Sequence, residues 1–96
     1  MGEVVLVLND IFLDRLPKID LHGFDRDSAR VAVNDFIAES FIMGILEVVI
    51  VHGKGDGIVK NAVHDALLRN KKVSRYHLSV DNIGCTIVYI KKNDEL

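Results

Sequence analysis

Two histidines of this chain sit in matching contexts. One lies in Asp20-Leu21-His22-Gly23, the other opens His52-Gly53-Lys54-Gly55-Asp56-Gly57. An imidazole exchanges its proton near neutral pH, so either ring can serve as acid, base or metal ligand. Asp20, two positions before His22, can orient or charge that ring. Gly53, Gly55 and Gly57 allow a sharp turn and a close approach of backbone to a ligand. Where such a loop runs into a helix, the free N–H groups and the helix dipole favour an anion. Lys54 and Lys60 add positive charge beside it.

An anion cradle, two imidazoles and a carboxylate are the parts that cleave a phosphodiester. One histidine takes a proton from water or a hydroxyl while the other protonates the leaving oxygen. Lys54 and the loop amides stabilise the charge that builds on phosphorus. Alternatively, Asp20, His22 and His52 bind a divalent metal that activates water. The residues themselves do not choose between the two. The loop lacks the G-x-x-x-x-G-K-[ST] spacing of a Walker loop and the dinucleotide fingerprint.

The elements that must position these groups can be read from periodicity. Lys18 to His22 alternates, with Ile19 and Leu21 on one face, as a strand does. Asp25 is the expected N-cap of a helix carrying Ala29, Val33, Phe36, Ile37, Ser40 and Phe41, which Gly44 stops. Glu47 to His52 is a run of β-branched residues, apolar on both faces, which predicts a central strand. Val59, Ala62, Val63, Ala66 and Leu67 form the stripe of a second helix, ending at Asn70 or Lys71. Val73 to Val80 alternates again, with Tyr76, Leu78 and Val80 against Arg75, His77 and Ser79. A turn at Asp81 to Gly84 leads to a last strand, Cys85 to Ile90, as a hairpin partner. The order βαβαββ implies an α/β two-layer sandwich on a mostly parallel sheet, with both helices on one face. Parallel first and second strands bring His22 and His52, 30 positions apart, to one edge of the sheet, where such folds bind ligands.

The remaining candidates read as structural. His64 falls off the apolar stripe and is expected in solvent. His77 shares a polar strand face with Arg75 and Ser79. Cys85, alternating with Ile87 and Tyr89, is expected in the core. Arg69, Lys71, Lys72 and Arg75 form a solvated basic end.

Composition bounds the rest. The chain has 96 residues, 49% of them apolar and 27% charged, which makes one globular domain. One cysteine excludes an internal disulfide and favours a reducing compartment, the cytoplasm. No signal peptide or membrane span is legible. A formal charge of −2 argues against a polybasic DNA wrapper. That charge is unevenly spread: residues 1–48 carry 4 basic and 9 acidic side chains, and residues 49–96 carry 8 basic and 5 acidic. The second half is therefore the half that attracts an anion. Pro17 divides an apolar arm, residues 1–17, from the domain at 18–92, and 93–96 form a tail. In the arm, Val4 to Leu8 reads as a strand and the residues around Ile11 to Leu16 as a turn or short helix. An arm this apolar is expected to pack on the domain or to join two copies into a homodimer.

The two motifs together resemble the Smr (small MutS-related) domain family. Ile19-Asp20-Leu21-His22-Gly23 is similar to its LDLHG motif, His52-Gly53-Lys54-Gly55 to its HGxG motif, and Gly84-x-Thr86 with Ile87-Val88 to its closing strand. The resemblance covers about residues 18–91. It implies a fold similar to the C-terminal domain of bacterial translation initiation factor three, and nicking endonuclease activity on DNA or RNA. It carries family roles to Asp20, His22 and His52, and to Gly53 and Gly55. It leaves the metal open, magnesium or manganese being the candidates. Where many members have a GGxG stretch, this chain reads Asp81-Asn82-Ile83-Gly84. The alternatives to a nuclease are a non-catalytic nucleic-acid-binding module that recruits a repair or ribosome-associated partner, and, on weaker grounds, a small-molecule phosphate enzyme.

Overall fold

A computed structural model describes residues 16–95. The elements are β1 (Lys18–Asp20), α1 (Arg26–Ile42), β2 (Glu47–Val51), α2 (Ile58–Arg69), β3 (Val73–Leu78) and β4 (Cys85–Ile90), followed by one 3-10 turn at Asn93–Glu95. The readings of Val4 to Leu8, of Ile11 to Arg15 and of the arm's contacts lie outside the described residues.

Local chemistry sets the element ends. The Asp25 carboxylate accepts the Ser28 N–H at 2.7 Å and caps α1, with Asp27 in the first turn. Gly44, at φ +74°, closes that helix; its N–H donates to the Phe41 carbonyl, and the Ile45 N–H to that of Ser40. Asn70 ends α2 and ties it to α1, its side-chain N–H donating a hydrogen bond to Asn34 Oδ1 at 3.1 Å.

The sheet order is β1-β2-β4-β3. β1 and β2 are parallel, whereas β2–β4 and β4–β3 are antiparallel. The sheet is therefore mixed rather than mostly parallel. The crossover through α2 skips one position, and the hairpin return of β4 fills the gap. Burying β4 between two strands gives it ladder partners on both sides and, among the described residues, leaves β1 and β3 as edges. Both helices cover one face, as a two-layer sandwich requires. Val48 and Ile50 of β2, and Val88 and Ile90 of β4, meet Val33, Ile37, Val63 and Leu67 there, and all of these are buried.

The phase of β4 differs from the expectation. Thr86, Val88 and Ile90 face the helices, while Cys85, Ile87 and Tyr89 lie half-buried on the opposite face. Both sets are largely apolar, so alternation alone does not choose. Pairing does, because Val48 faces Val88 and Ile50 faces Thr86 across the ladder, and a one-residue slip would turn every side chain over. Val80 also departs from its expected place. β3 ends at Leu78, and Val80 stands in the following loop, 93% exposed. On the far face of the sheet, Arg75 lies over the Tyr89 ring at 4.1 Å, and among the described residues no element covers that face.

Candidate functional site

The strand directions gather the chemistry at one edge. β1 and β2 both end there, and the start of β4 lies beside them, Val51 facing Cys85. A last rung, Leu21 N–H to the Val51 carbonyl at 2.7 Å, sets where the chain leaves the sheet. His22 follows it immediately. Its side chain sits over Gly53, since a Cβ on that glycine would lie 3.5 Å from His22 Cβ. Both motifs line one open cleft of about 600 Å³, together with Phe24, Arg26, Lys54 and Lys60.

His22 and Asp20 form an outward-facing pair. The His22 ring Nδ1–H donates to Asp20 Oδ1 at 2.6 Å, and its backbone N–H donates to the same oxygen at 3.1 Å. These bonds hold the Asp20 carboxyl below the usual carboxylate range, so it is ionised at neutral pH. The side chains are 72% and 56% exposed. No described hydrogen bond takes the His22 Nε2, which leaves that nitrogen open to solvent or substrate.

His52 is placed quite differently. It is 4% exposed, and both of its ring nitrogens are engaged. Nδ1 lies 3.0 Å from the Gly53 carbonyl and Nε2 lies 2.8 Å from Thr86 Oγ1. A carbonyl only accepts, so Nδ1 carries the proton. Burial, and to a smaller degree the Lys60 charge, push the His52 pKa down and keep the ring neutral, against the opposing Gly53 bond. Nε2 is then an acceptor, and the Thr86 hydroxyl donates to it. The Thr86 oxygen accepts in turn from Nε2–H of His64, also at 2.8 Å. His64 meets the His52 ring edge-on at 5.9 Å and the Tyr76 ring at 5.1 Å. Burial, His52 and Lys60 lower its pKa as well.

His64 is thus half-buried in a network rather than solvated. The flank of α2 that carries it is covered by Tyr76 of β3, which a single-helix stripe does not reveal. Thr86 was legible only as part of a family-like strand. The signal that could have found both is a polar residue inside an apolar strand, which demands buried partners.

The glycine loop is anchored from below. The His52 and Gly53 N–H groups both donate to the Gly84 carbonyl, at 2.9 and 3.0 Å. They are therefore spent on structure and cannot greet an anion. The amides of Lys54, Gly55, Asp56 and Gly57 have no such bond among the described residues. Ile58 N–H is taken by Asp56 Oδ1 at 3.2 Å, while the next amides of the first helical turn have no intrahelical acceptor. Gly53 and Gly57 hold φ of +89° and +88°, which favours glycine at both. Gly84 is needed for closeness instead. A Cβ there would lie 3.2 Å from Lys54 Cγ and Asn82 Oδ1, and 3.3 Å from the Gly53 carbonyl carbon. Asn82 Oδ1 accepts the Gly84 N–H at 2.9 Å and so shapes this variant of the loop.

The three candidate metal ligands do not converge. Asp20 and His22 are bonded to each other, but the His52 nitrogens turn to Gly53 and Thr86. Among the described residues no three His, Cys, Asp or Glu side chains form a metal-holding group. A cage of Asp20, His22 and His52 does not fit this geometry.

The sequence model of the Smr domain matches residues 19–91. The chain belongs to the Smr family. Endonuclease MutS2 of Clostridium tetani (strain Massachusetts / E88) is 34% identical over 77 residues, covering 77% of this chain and 10% of that protein. Endonuclease MutS2 of Clostridium botulinum (strain Eklund 17B / Type B) is 38% identical over 77 residues, with the same coverage. The chain thus spans about one-tenth of the length of these curated relatives. The Smr domain of Thermus thermophilus MutS2 superposes with a TM-score of 0.77 at 26% identity, covering 79% of this chain and 99% of that one. YdaL, a stand-alone small MutS-related protein from Escherichia coli, superposes at 0.75 with 24% identity, covering 81% of this chain and 66% of that one, which speaks for the fold. Among the described residues of this Smr domain, no helix is long and apolar enough to cross a membrane.

Proposed function

We propose that this Smr domain is a nicking endonuclease that cleaves DNA or RNA phosphodiesters and selects its target by structure rather than by sequence. The observation that carries the reading is the Asp20–His22 pair at the rim of the cleft, over the glycine loop. Asp20 holds the His22 tautomer with Nε2 open. That nitrogen takes a proton from the attacking water or hydroxyl as the oxygen bonds to phosphorus, and the leaving oxygen, as its own bond to phosphorus breaks, takes a proton from solvent water in the open cleft. Lys54, Lys60 and the loop amides from Lys54 onward balance the charge on the phosphoryl oxygens. His52, with both nitrogens engaged, acts on the loop rather than on the phosphodiester. No step is assigned to a metal, because the expected three-residue cage does not fit. The name endonuclease on the MutS2 relatives supports the reaction class, and the single Cys85 suits a cytoplasmic setting.

One observation favours a second reading. His22 is the only ring in the cleft with an open nitrogen among the described residues, so no second imidazole is presented to protonate the leaving oxygen. That suits a module that binds nucleic acid without cutting it and brings a partner to the site.

Nicking of supercoiled plasmid and of a structured RNA, with and without chelator, separates the two. The nuclease reading expects cleavage by the wild-type chain and a loss of about 100-fold or more in His22→Ala. Equal cleavage by His22→Ala overturns the mechanism. Binding with a steep salt slope and no cleavage establishes the second reading instead.

A further inference from the structure

The buried side of the site holds three polar groups for which acid–base chemistry at His22 has no use: His52, Thr86 and His64. Thr86 is fully buried and carries the one hydroxyl that both imidazoles read. Its single proton can go to only one of them. With His52 bound through Nδ1–H to the Gly53 carbonyl, that proton goes to His52, and His64 must donate. Each ring is thereby confined to one tautomer, and the tautomers are opposite: Nδ1–H on His52 and Nε2–H on His64.

This has a consequence for the loop. In a trans peptide the carbonyl and the following N–H point in opposite directions. A Gly53 carbonyl held inward by His52 turns the Lys54 N–H away from the ring, toward the open side of the loop. Were His52 to carry its proton on Nε2 instead, an unprotonated Nδ1 would face the Gly53 carbonyl, acceptor against acceptor. The Gly53–Lys54 peptide, with the freedom a glycine gives it, would then relax by rotating its carbonyl outward, and an anion would meet an oxygen where it now meets a donor.

We propose that Thr86 and His64 are positioning residues for the phosphate cradle, holding His52 as the Nδ1–H tautomer so that the Lys54 amide faces the anion. The proposal rests on reading the 53–57 loop as that cradle. Thr86 acts through His52, and His64 through Thr86; neither touches substrate. Lys60, whose charge acts on both rings, and Tyr76, whose ring lies tilted at 60° against His64, complete the surroundings from α2 and β3.

Long-range 15N–1H NMR of the imidazoles at neutral pH reads the tautomers in the unmutated chain. The expected result is protonated Nδ1 on His52 and protonated Nε2 on His64. An Nε2–H form of His52, or a mixture of the two forms in either ring, overturns the proposal. Thr86→Val is expected to lose the single tautomer of His52, to abolish the response of the Lys54 amide resonance to added inorganic phosphate, and to lower nicking about tenfold or more. Should Thr86→Val not fold, Thr86→Ser and His64→Gln carry the test. Both keep the needed donor and are expected to retain tautomer and phosphate response, whereas His64→Leu loses them. A phosphate response unchanged in His64→Leu overturns the proposal. A wild-type chain that never nicks, yet shows these tautomers and a phosphate response that fails in His64→Leu, sinks the nuclease reading and leaves this one standing.

Discussion

His22 and His52 occupy equivalent places in the sequence, each at the end of a parallel strand and each followed by glycine, yet the fold gives them opposite environments. His22 is exposed, paired with one carboxylate, and keeps Nε2 open. His52 is buried, with both nitrogens bonded to groups inside the domain. The difference arises from position relative to the sheet edge. His22 stands beyond strand β1, where no element among the described residues lies above it. His52 directly follows central strand β2, with the start of β4 and the flank of α2 closing around it. A shared motif therefore divides into one group suited to meet substrate and one suited to hold the loop that meets substrate.

The division can be broken by experiment. The largest expected effect is His52→Ala, which removes a buried ring and leaves the Thr86 hydroxyl proton and the Gly53 carbonyl without their partner. A destabilisation of about 2–4 kcal/mol is expected in denaturant titration. His22→Ala is the counterpart: the same titration should move by no more than about 0.5 kcal/mol, because the side chain is exposed, while nicking falls. A large stability loss at His22, or none at His52, would erase the distinction. Gly84→Ala comes next, at about 1–3 kcal/mol, since its new methyl would press on Lys54, Asn82 and Gly53. Phosphate binding should weaken with it if the Gly84 carbonyl anchors the cradle.

The smallest effect is in pH. His52 and His64 both have folded-state pKa values below the ordinary 6.5. At pH 7.5 folded and unfolded chains are both mostly neutral at these rings, and stability is full. As pH falls below about 6.5 the unfolded chain takes up protons that the folded chain refuses, so stability declines. The slope is at most about 1.4 kcal/mol per pH unit for each ring. Thermal melts of wild type and His64→Gln between pH 7.5 and 5.5 check this, and the variant should show the shallower decline. An equal slope in both would remove His64 from the buried network.

Much of this was legible beforehand. Asp25 and Gly44 mark the ends of α1 because capping is a local matter of side-chain oxygens and left-handed backbone. Cys85–Ile90 was bounded by its turn and its β-branched run. The Asp20–His22 pair needed only a spacing of two along a strand. What stayed hidden depends on contacts between distant segments. The inward face of β4 was invisible because CTIVYI is apolar in either phase. The position of β4 between β2 and β3 was also invisible, since alternating strands and helices are equally consistent with a parallel sheet.

The sequence by itself determined the elements, the family and the two motifs at one edge, since periodicity, caps and glycine positions act over a few residues. Only the tertiary structure decided which histidine faces water and which is enclosed. That choice rests on Thr86 and His64, which lie 34 and 12 positions beyond His52 and reach it only when β4 enters the sheet and α2 folds back over it. Burial and hydrogen-bond satisfaction are properties of the packed molecule, and they give two like side chains unlike tasks.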